Sequence, residues 1–505
     1  MNRTYLNGLQ KSSALVQKVW NYAHVLKDDG LAFMDYTEQI TYLLFLKMVW
    51  EQQEDNNTSE IPSRYTWGAL KNINDNAKLL KRYHQGLRKL SEQPGLIGLI
   101  FTKPQSKIND PAKLRLLIQM IDSEDWSNLD VDVKGEVYEG LLARNADDVR
   151  GGAGQYFTPR PVIRAIIEVM RPEPMMRISD PACGTGGFLL AAFEYLNGKT
   201  ANAREAAYLR IRSLHGIDLV PNVARLCAMN LFLHGIGTDP KHPVISIGDS
   251  LEKKAEPVDM VLTNPPFGKK SSFTIIGSGG KSQTDRISYN RPDFWATTSN
   301  KQLNFVQHVY SMLNETGRAA VVVPDNVLFE GGAGEKIRRA LLHYCDVHTL
   351  LRLPTGIWYS PGVKANVIFF DKKRHNFSPA TKEVWVYDLR SKHNFTLRQN
   401  PIRPDDLKDF IHCYRADDPT RRKETDVFRK FKYSEIIARD KANLDIQWQQ
   451  NMVSFTEIGN PQMLLKEILA DLNEAIREFA AAEAAIYQDP QMTPDMKNEG
   501  QETPD

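Results

Sequence analysis

The pattern of apolar and polar positions divides the chain into three stretches. Over residues 1 to about 120 apolar side chains recur at helical spacing. Leu15, Val19, Ala23 and Leu26 fall on one face, and Ile40, Leu43, Leu44, Leu46 and Met48 make the next helix strongly apolar. Further on, short apolar runs appear, each closed by turn residues. They are Met175–Ser179, Leu214–Leu219, Val244–Leu251, Asp259–Asn264, Arg318–Pro324, Leu350–Pro354 and Asn366–Phe370. Helical patterns stand between them, as at Leu190–Leu196 and from Glu330-Gly331-Gly332-Ala333-Gly334 onward. Strand and helix in alternation predict an α/β layer structure with a mostly parallel sheet. In the last stretch Leu464, Leu465, Ile468, Leu472, Ile476, Phe479, Ala482 and Ile486 put an apolar stripe on one long helix. The final residues, Pro490 to Asp505, are polar and are expected to be disordered.

Four of the expected strands end in residues that carry chemistry. Met175–Ser179 is followed by Asp180-Pro181-Ala182-Cys183-Gly184-Thr185-Gly186-Gly187 and then by a helix. Strand, glycine-rich turn and helix form a nucleotide-binding crossover. The turn is not a phosphate loop, because Phe193 stands where that motif needs a glycine before Gly198-Lys199-Thr200. It also lacks full dinucleotide spacing, because Leu189 stands where the third glycine would be. The second strand ends in Asp218, whose carboxylate could accept from both hydroxyls of a ribose. The third ends in Asp249, which could accept from an adenine amino group with Leu251 against the ring. The fourth runs into Asn264-Pro265-Pro266-Phe267. Two prolines in succession supply no backbone N–H, so the sheet ladder stops there. An amide oxygen and a proline carbonyl can accept from an exocyclic amino group, and Phe267 can stack on a flat heterocycle.

These strand ends, with Gly154-Gln155-Tyr156-Phe157-Thr158-Pro159-Arg160 just upstream, resemble the amino-methyltransferases that use S-adenosylmethionine. The closer resemblance is to the modification subunits of type I restriction-modification systems. It covers most of the chain and implies a Rossmann-like, mostly parallel seven-stranded sheet with an all-helical N-terminal domain and a C-terminal helical tail. By that resemblance Gln155, Tyr156, Phe157, Thr158, Pro159, Arg160, Asp180, Gly184, Thr185, Gly186, Gly187, Asp218, Asp249 and Leu251 bind the cofactor. Asn264, Pro265, Pro266 and Phe267 form the catalytic motif. The implied activity is site-specific DNA adenine N6-methylation of a flipped-out base. The implied partners are DNA, a specificity subunit contacted through the C-terminal helix as two modification chains per specificity chain, and a motor-nuclease subunit in the full complex. The implied domains are 1–150 helical, 151–435 catalytic, 436–489 helical and partner-binding, and 490–505 tail. The first boundary falls near the polar segment Asn145–Gly152.

Composition narrows this reading in three ways. No apolar run approaches the ~18 residues that span a bilayer. The N-terminus lacks an apolar signal region and the 4 cysteines show no metal-type pairing, so a cytoplasmic protein with reduced thiols and no bound metal is expected. The net charge of only +2, from 64 Lys and Arg against 62 Asp and Glu, is small for a protein gripping DNA alone, which points to a partner. One local basic and aromatic stretch stands out between Lys269 and Asn300. It holds Lys269, Lys270, Lys281, Arg286, Arg291, Phe273, Tyr289, Phe294 and Trp295, and as a long loop after the catalytic motif it suits phosphate contact and support of a flipped base. Phe329 and Tyr359 could help line the base pocket, but core packing is the expected role for both.

Other chemistries fit less well. A cytosine C5 enzyme needs a cysteine after proline, and Phe267 stands there. A protein glutamine methyltransferase uses a similar Asn-Pro-Pro turn, normally with tyrosine in place of Phe267. A non-catalytic scaffold would not need Asn264 intact.

Overall fold

The computed structural model describes residues 33–56, 61–104, 106–124, 126, 158–237, 239–267, 289–358, 363–374, 377–390, 395–396 and 400–448. It also describes scattered positions between 15 and 26 and the backbone of two strands at 272–276 and 282–286. Met1–Ile446 forms one compact unit and Gln447–Asp505 a second. The apolar stripe from Leu464 to Ile486 and the final tail lie outside the described residues, as do the segment near Asn145–Gly152 and Tyr359.

The helical N-terminal part forms where the pattern requires. The helix Phe33–Asn56 buries Ile40, Leu43, Leu44, Leu46 and Met48 almost completely. Local chemistry sets the helix starts that follow. Asp75 accepts from Lys78 N to cap Asn76–Ser91, and Asp110 accepts from Ala112 N with Pro111 in the first turn of Pro111–Asp122. Inside this part Asp122 takes hydrogen bonds from Lys47 Nζ and from the Trp67 indole, each at 2.8 Å. The helices also share the core of the sheet. Gln52 donates to the Leu233 carbonyl at 3.1 Å, and Arg225 donates to Glu38 and to the Thr102 carbonyl.

The main sheet has nine strands. They are β1 Ile178–Asp180, β2 Leu214–Asp218, β3 Ile245–Ile247, β4 Val258–Thr263, β7 Leu313–Pro324, β8 Cys345–Leu353, β9 Ala365–Lys372, β10 Glu383–Asp388 and β11 Phe428–Lys432. Their order is β11-β10-β8-β9-β7-β4-β1-β2-β3. β4, β1, β2 and β3 pair in parallel, and β7 continues the parallel set beside β4. β9 runs antiparallel between β7 and β8. The seven expected strands are all present. Two more, β10 parallel to β8 and β11 antiparallel to β10, extend one edge. β11 reads Phe-Arg-Lys-Phe-Lys, and its exposed Arg429, Lys430 and Lys432 keep that edge from pairing with other chains.

The chain lays β2 and β3 on one side of β1 and then returns to place β4 on the other. The strand order therefore reverses between β1 and β4. A crevice opens at the carboxyl ends of the strands at such a reversal. Thr263 Oγ1, at the end of β4, donates to Asp180 Oδ1 at 2.6 Å, at the end of β1.

The expected catalytic end at residue 435 falls inside the helix Tyr433–Ala438. Beyond it the chain still belongs to the sheet unit. Leu444 N–H donates to the Leu328 carbonyl at 2.9 Å, and Arg352, 2% exposed, donates to Asp445 and to the Ile446 carbonyl. Arg338, also 2% exposed, donates to the carbonyls of Val327, Glu330, Lys441 and Ala442. No helix among the described residues is long and apolar enough to cross a membrane.

Replacing Arg338 by methionine keeps the apolar stem but leaves those carbonyls without their donor. R338M is expected to lower unfolding free energy by ~3 kcal/mol or more. Denaturant melts would read this, and limited proteolysis would open first between Arg439 and Ile446. An unchanged melt would mean that this segment does not depend on Arg338.

Candidate active site

Two strand ends face each other across the crevice. On the β1 side the glycine turn leads into the helix Gly187–Asn197. Gly184 has φ +56°, and a Cβ added there would meet only open space. Gly186 has φ +87°, but its missing Cβ would lie 2.9 Å from Cys227 Sγ on the helix Pro221–Leu233. At Gly187 a Cβ would lie 2.9 Å from the Ile163 side chain and 3.0 Å from the Arg160 guanidinium. The three glycines thus divide their work. Of the three only Gly184 borders open space, while Gly186 and Gly187 let helices pack against the turn. Thr185 is buried at the same turn, and its carbonyl accepts from Asn230 Nδ2 at 2.9 Å.

Asp180 differs from its expected role. It is 1% exposed and accepts from Ala182 N and Thr263 Oγ1, so it braces the crevice rather than lining it. Burial pushes its carboxyl up to about 7, against the lowering pull of those two hydrogen bonds. Asp218 stands at the end of β2. Its Oδ2 accepts from Gly184 N at 3.1 Å and its Oδ1 from Val220 N at 2.9 Å, and burial raises its pKa. Beside it Leu219 and Val220 are 59% and 39% exposed. Exposed apolar side chains next to a strand-end carboxylate suit the face of a base beside a ribose. Sequence reasoning gave that contact to Leu251, which is 1% exposed and packs in the core. A signal existed: Leu219-Val220 follows Asp218 directly, where a strand ends and solvent begins.

On the β4 side the prolines end the ladder as expected. Asn264 Nδ2 donates to Thr158 Oγ1 at 2.9 Å, which orients the amide and sets the place of its buried Oδ1. Pro265 is buried and Pro266 exposed, with the Pro266 carbonyl accepting from Gln302 Nε2 at 3.1 Å. Phe267 is half-buried, and the Trp358 indole meets it edge-on at 5.8 Å between ring centres. Trp358, 2% exposed, was not singled out in the sequence. It sits two residues after Gly356, past the end of β8, and only tertiary packing brings it to Phe267. Thr158, Pro159 and Arg160 start the helix Arg160–Met170 at the crevice. Gln155, Tyr156 and Phe157 lie outside the described residues.

The stretch after Phe267, expected as a long loop, holds regular structure within its described residues. It contains a separate antiparallel hairpin, β5 Ser272–Ile276 and β6 Ser282–Arg286. Lys269, Lys270 and Lys281 lie outside the described residues, as do the side chains of Phe273 and Arg286. Arg291 is not available to phosphate. It is 8% exposed and binds Asp293, the Leu251 carbonyl, His308 and Ser311. Its hydrogen bonds hold the Asp293 carboxyl down at about 2, while burial and the neighbouring guanidinium keep His308 neutral, with a pKa near 3. Phe294 lies under the Arg291 guanidinium at 4.2 Å, and Trp295 packs on Tyr310 and Tyr344. Asp249 accepts from Leu251 N at 2.9 Å and from Tyr289 Oη at 2.6 Å. Phe329, expected in the core, is 43% exposed at the end of the helix Asp325–Phe329.

A fixed amide, a proline carbonyl and an edge-braced aromatic ring thus stand across a crevice from a glycine turn and a strand-end carboxylate. Family comparison decides what this arrangement belongs to. The N-6 DNA Methylase model matches residues 129–457, and the HsdM N-terminal domain model matches residues 15–121. The chain belongs to the N-6 DNA methylase family. This methylase is 35% identical to the EcoKI type I restriction enzyme methylase subunit of Escherichia coli K12, over 92% of this chain and 94% of that one. It is 30% identical to the EcoEI methylase subunit of E. coli, over 81% and 84%. Among solved structures, the EcoKI M protein aligns at a TM-score of 0.52 with 31% identity, covering 95% of the methylase and 97% of that chain. A modification subunit of a putative type I restriction enzyme from Vibrio vulnificus YJ016 shares the fold at a TM-score of 0.67 and 24% identity, covering 84% and 93%. The methylase is therefore an adenine-N6 DNA methyltransferase of the type I modification-subunit class, and the protein-glutamine reading falls away.

Asp180 gives the methylase a pH signature. Its folded pKa of about 7 stands above an unfolded value near ~3.9, so the folded form holds the proton more tightly. Its contribution to stability is greatest below about pH 4 and declines as pH rises toward about 7. D180N, which keeps the acceptor oxygen and removes the titration, is expected to flatten that decline. Unfolding free energies of parent and variant, measured by denaturant melts between pH 5 and 8, would diverge by at most ~1.4 kcal/mol per pH unit. Parallel curves would show that Asp180 ionises normally.

Proposed function

We propose that this chain is the S-adenosylmethionine-dependent catalytic subunit that methylates adenine N6 in a host-protecting type I restriction-modification complex. The observation that carries the reading is the Asn264 amide, oriented by Thr158 at the end of β4, opposite the glycine turn and Asp218. The residues present fit the cofactor. Gly184 leaves open space where a side chain would stand, Asp218 offers a carboxylate for ribose hydroxyls, and Leu219 and Val220 offer an apolar face for the base. Residues 155–160 would meet the methionine end, with Thr185, Gly186 and Gly187 shaping the turn and Asp249 accepting from the adenine amino group. When bound, S-adenosylmethionine supplies a methyl group already activated on a sulfonium.

The remaining task of the protein is to make a poor nucleophile attack. The N6 lone pair of adenine is delocalised into its ring. Asn264 Oδ1 and the Pro265 carbonyl accept the two N6 hydrogens and favour a pyramidal nitrogen as the new N–C bond forms. Fixed dipoles of this kind need no reorganisation at the moment of reaction. Phe267 stacks on the extruded base, which offsets a flipping cost of about a few kcal/mol. Trp358, edge-on to Phe267, keeps that ring from turning. No covalent enzyme intermediate is required: the methyl–sulfur bond would break as the N–C bond forms, and the displaced N6 proton would pass to solvent.

Within the proposed complex a specificity subunit chooses the target sequence, two modification chains serve one specificity chain, and a motor-nuclease subunit adds cleavage. The C-terminal region after Ile446 contacts the specificity subunit, the helical part up to about 150 helps enclose the DNA, and the assembly is cytoplasmic.

The test is transfer of labelled methyl to DNA by the chain co-purified with its specificity subunit. The parent should yield N6-methyladenine. N264A should lose ~10²-fold or more in transfer rate and keep its cofactor affinity. A parent complex that binds DNA and cofactor yet transfers nothing would leave a non-catalytic scaffold as the better reading.

A further inference from the structure

The segment that returns from the hairpin β5–β6 is tied to the turn after β3 at two points. Tyr289 Oη donates to Asp249 Oδ2 at 2.6 Å, and Arg291 Nη1 donates to the Leu251 carbonyl at 3.2 Å. The other Asp249 oxygen, Oδ1, accepts from Leu251 N at 2.9 Å. One hydrogen bond to each oxygen fixes the rotation of the carboxylate about its Cβ–Cγ bond. Each carboxylate oxygen can accept two hydrogen bonds, so one position on each stays open to a ligand donor.

The anchor of this arrangement is rigid. Arg291 is 8% exposed and is held by Asp293, His308 and Ser311 from the helix Lys301–Met312 and its approach. Tyr289 stands two residues before Arg291, so its place above Asp249 is set by a buried ionic network and not by a free loop.

We infer that Tyr289 is a positioning residue for the cofactor: its hydroxyl locks Asp249 in the orientation that accepts the exocyclic amino group of the cofactor adenine. The inference rests on the proposed role of Asp249 in cofactor binding. Without the hydroxyl, Asp249 is held at Oδ1 alone and must be ordered when the ligand arrives, which weakens binding. Tyr289 acts through Asp249 and touches neither the methyl group nor the target base, so the chemical step should be unaffected.

The test is a double-mutant cycle on the full chain with Y289F, D249N and the pair. Calorimetry would give the cofactor dissociation constant without DNA, and steady-state assays in the DNA-competent complex would give kcat and both KM values. Losing one hydrogen bond to a carboxylate is expected to raise the cofactor dissociation constant and KM about five- to twentyfold in Y289F. DNA KM and kcat at saturating cofactor should stay within about twofold of the parent, and Y289F should add nothing in the D249N background. A melting midpoint matching the parent would show that Y289F is folded. If Y289F unfolds, Y289H, which retains a ring and a donor, carries the same cycle. If D249N weakens cofactor binding and Y289F does not, the inference fails while the role of Asp249 stands. If Y289F binds more tightly, the hydroxyl competes with the ligand and the inference is overturned. If D249N itself leaves cofactor affinity unchanged, the reading of Asp249 fails, and this inference with it.

Discussion

The hydrogen bond from Thr263 to Asp180 joins two strand ends that lie 83 residues apart in the chain. Everything proposed for the crevice depends on that closure. β1 and β4 are neighbours only because the chain lays β2 and β3 on one side and returns on the other. The reversal leaves no helix to cover the gap at their carboxyl ends. A parallel sheet therefore opens a binding site at the seam where it must also be held shut. A short charge-free donor on one strand and a carboxyl on the other meet that need in the core, where an unpaired polar group would cost about 1–3 kcal/mol. The raised pKa of Asp180 is the electrostatic mark of the same burial.

From this seam the two halves of the reaction are built on different principles. On the β1 side selection for closeness dominates. Gly186 and Gly187 are small because Cys227, Ile163 and Arg160 press on them, whereas Gly184, at φ +56°, borders open space. On the β4 side selection for rigidity dominates. Two prolines end the strand, Thr158 holds the Asn264 amide, Gln302 holds the Pro266 carbonyl and Trp358 braces Phe267. An acceptor pair aimed at a developing charge gains from being immobile. A cofactor pocket must only admit its ligand.

The parts of this design that follow from local chemistry were legible in the sequence. Proline pairs stop strands wherever they occur, glycine turns after a strand read the same in any fold, and the apolar runs placed all seven core strands. What could not be read depends on which residues end up as neighbours. Arg291 looked like a phosphate contact because it lies in a basic, glycine-containing stretch, yet burial has matched it with Asp293 and His308. Phe329 looked like core and is exposed, and Leu251 looked like a pocket residue and is core. Trp358 and Tyr289 gain meaning only from the Phe267 ring and the Asp249 carboxylate that packing brings to them. The strands β10 and β11 add an edge that the resemblance did not include.

Burial also bears on how the chain can hold DNA. Arg225, Arg291, Arg338, Arg352 and Arg422 are each 9% exposed or less, and their guanidinium groups donate to carbonyls and carboxylates inside the fold. A net charge of +2 already leaves little excess. Among the described residues these five guanidinium groups are thereby withdrawn from phosphate contact. Affinity for duplex DNA comes largely from exposed cations that displace counterions from phosphates. Engaging arginine inside the fold removes those cations from the set that could hold a duplex, which supports the proposed dependence on a partner subunit.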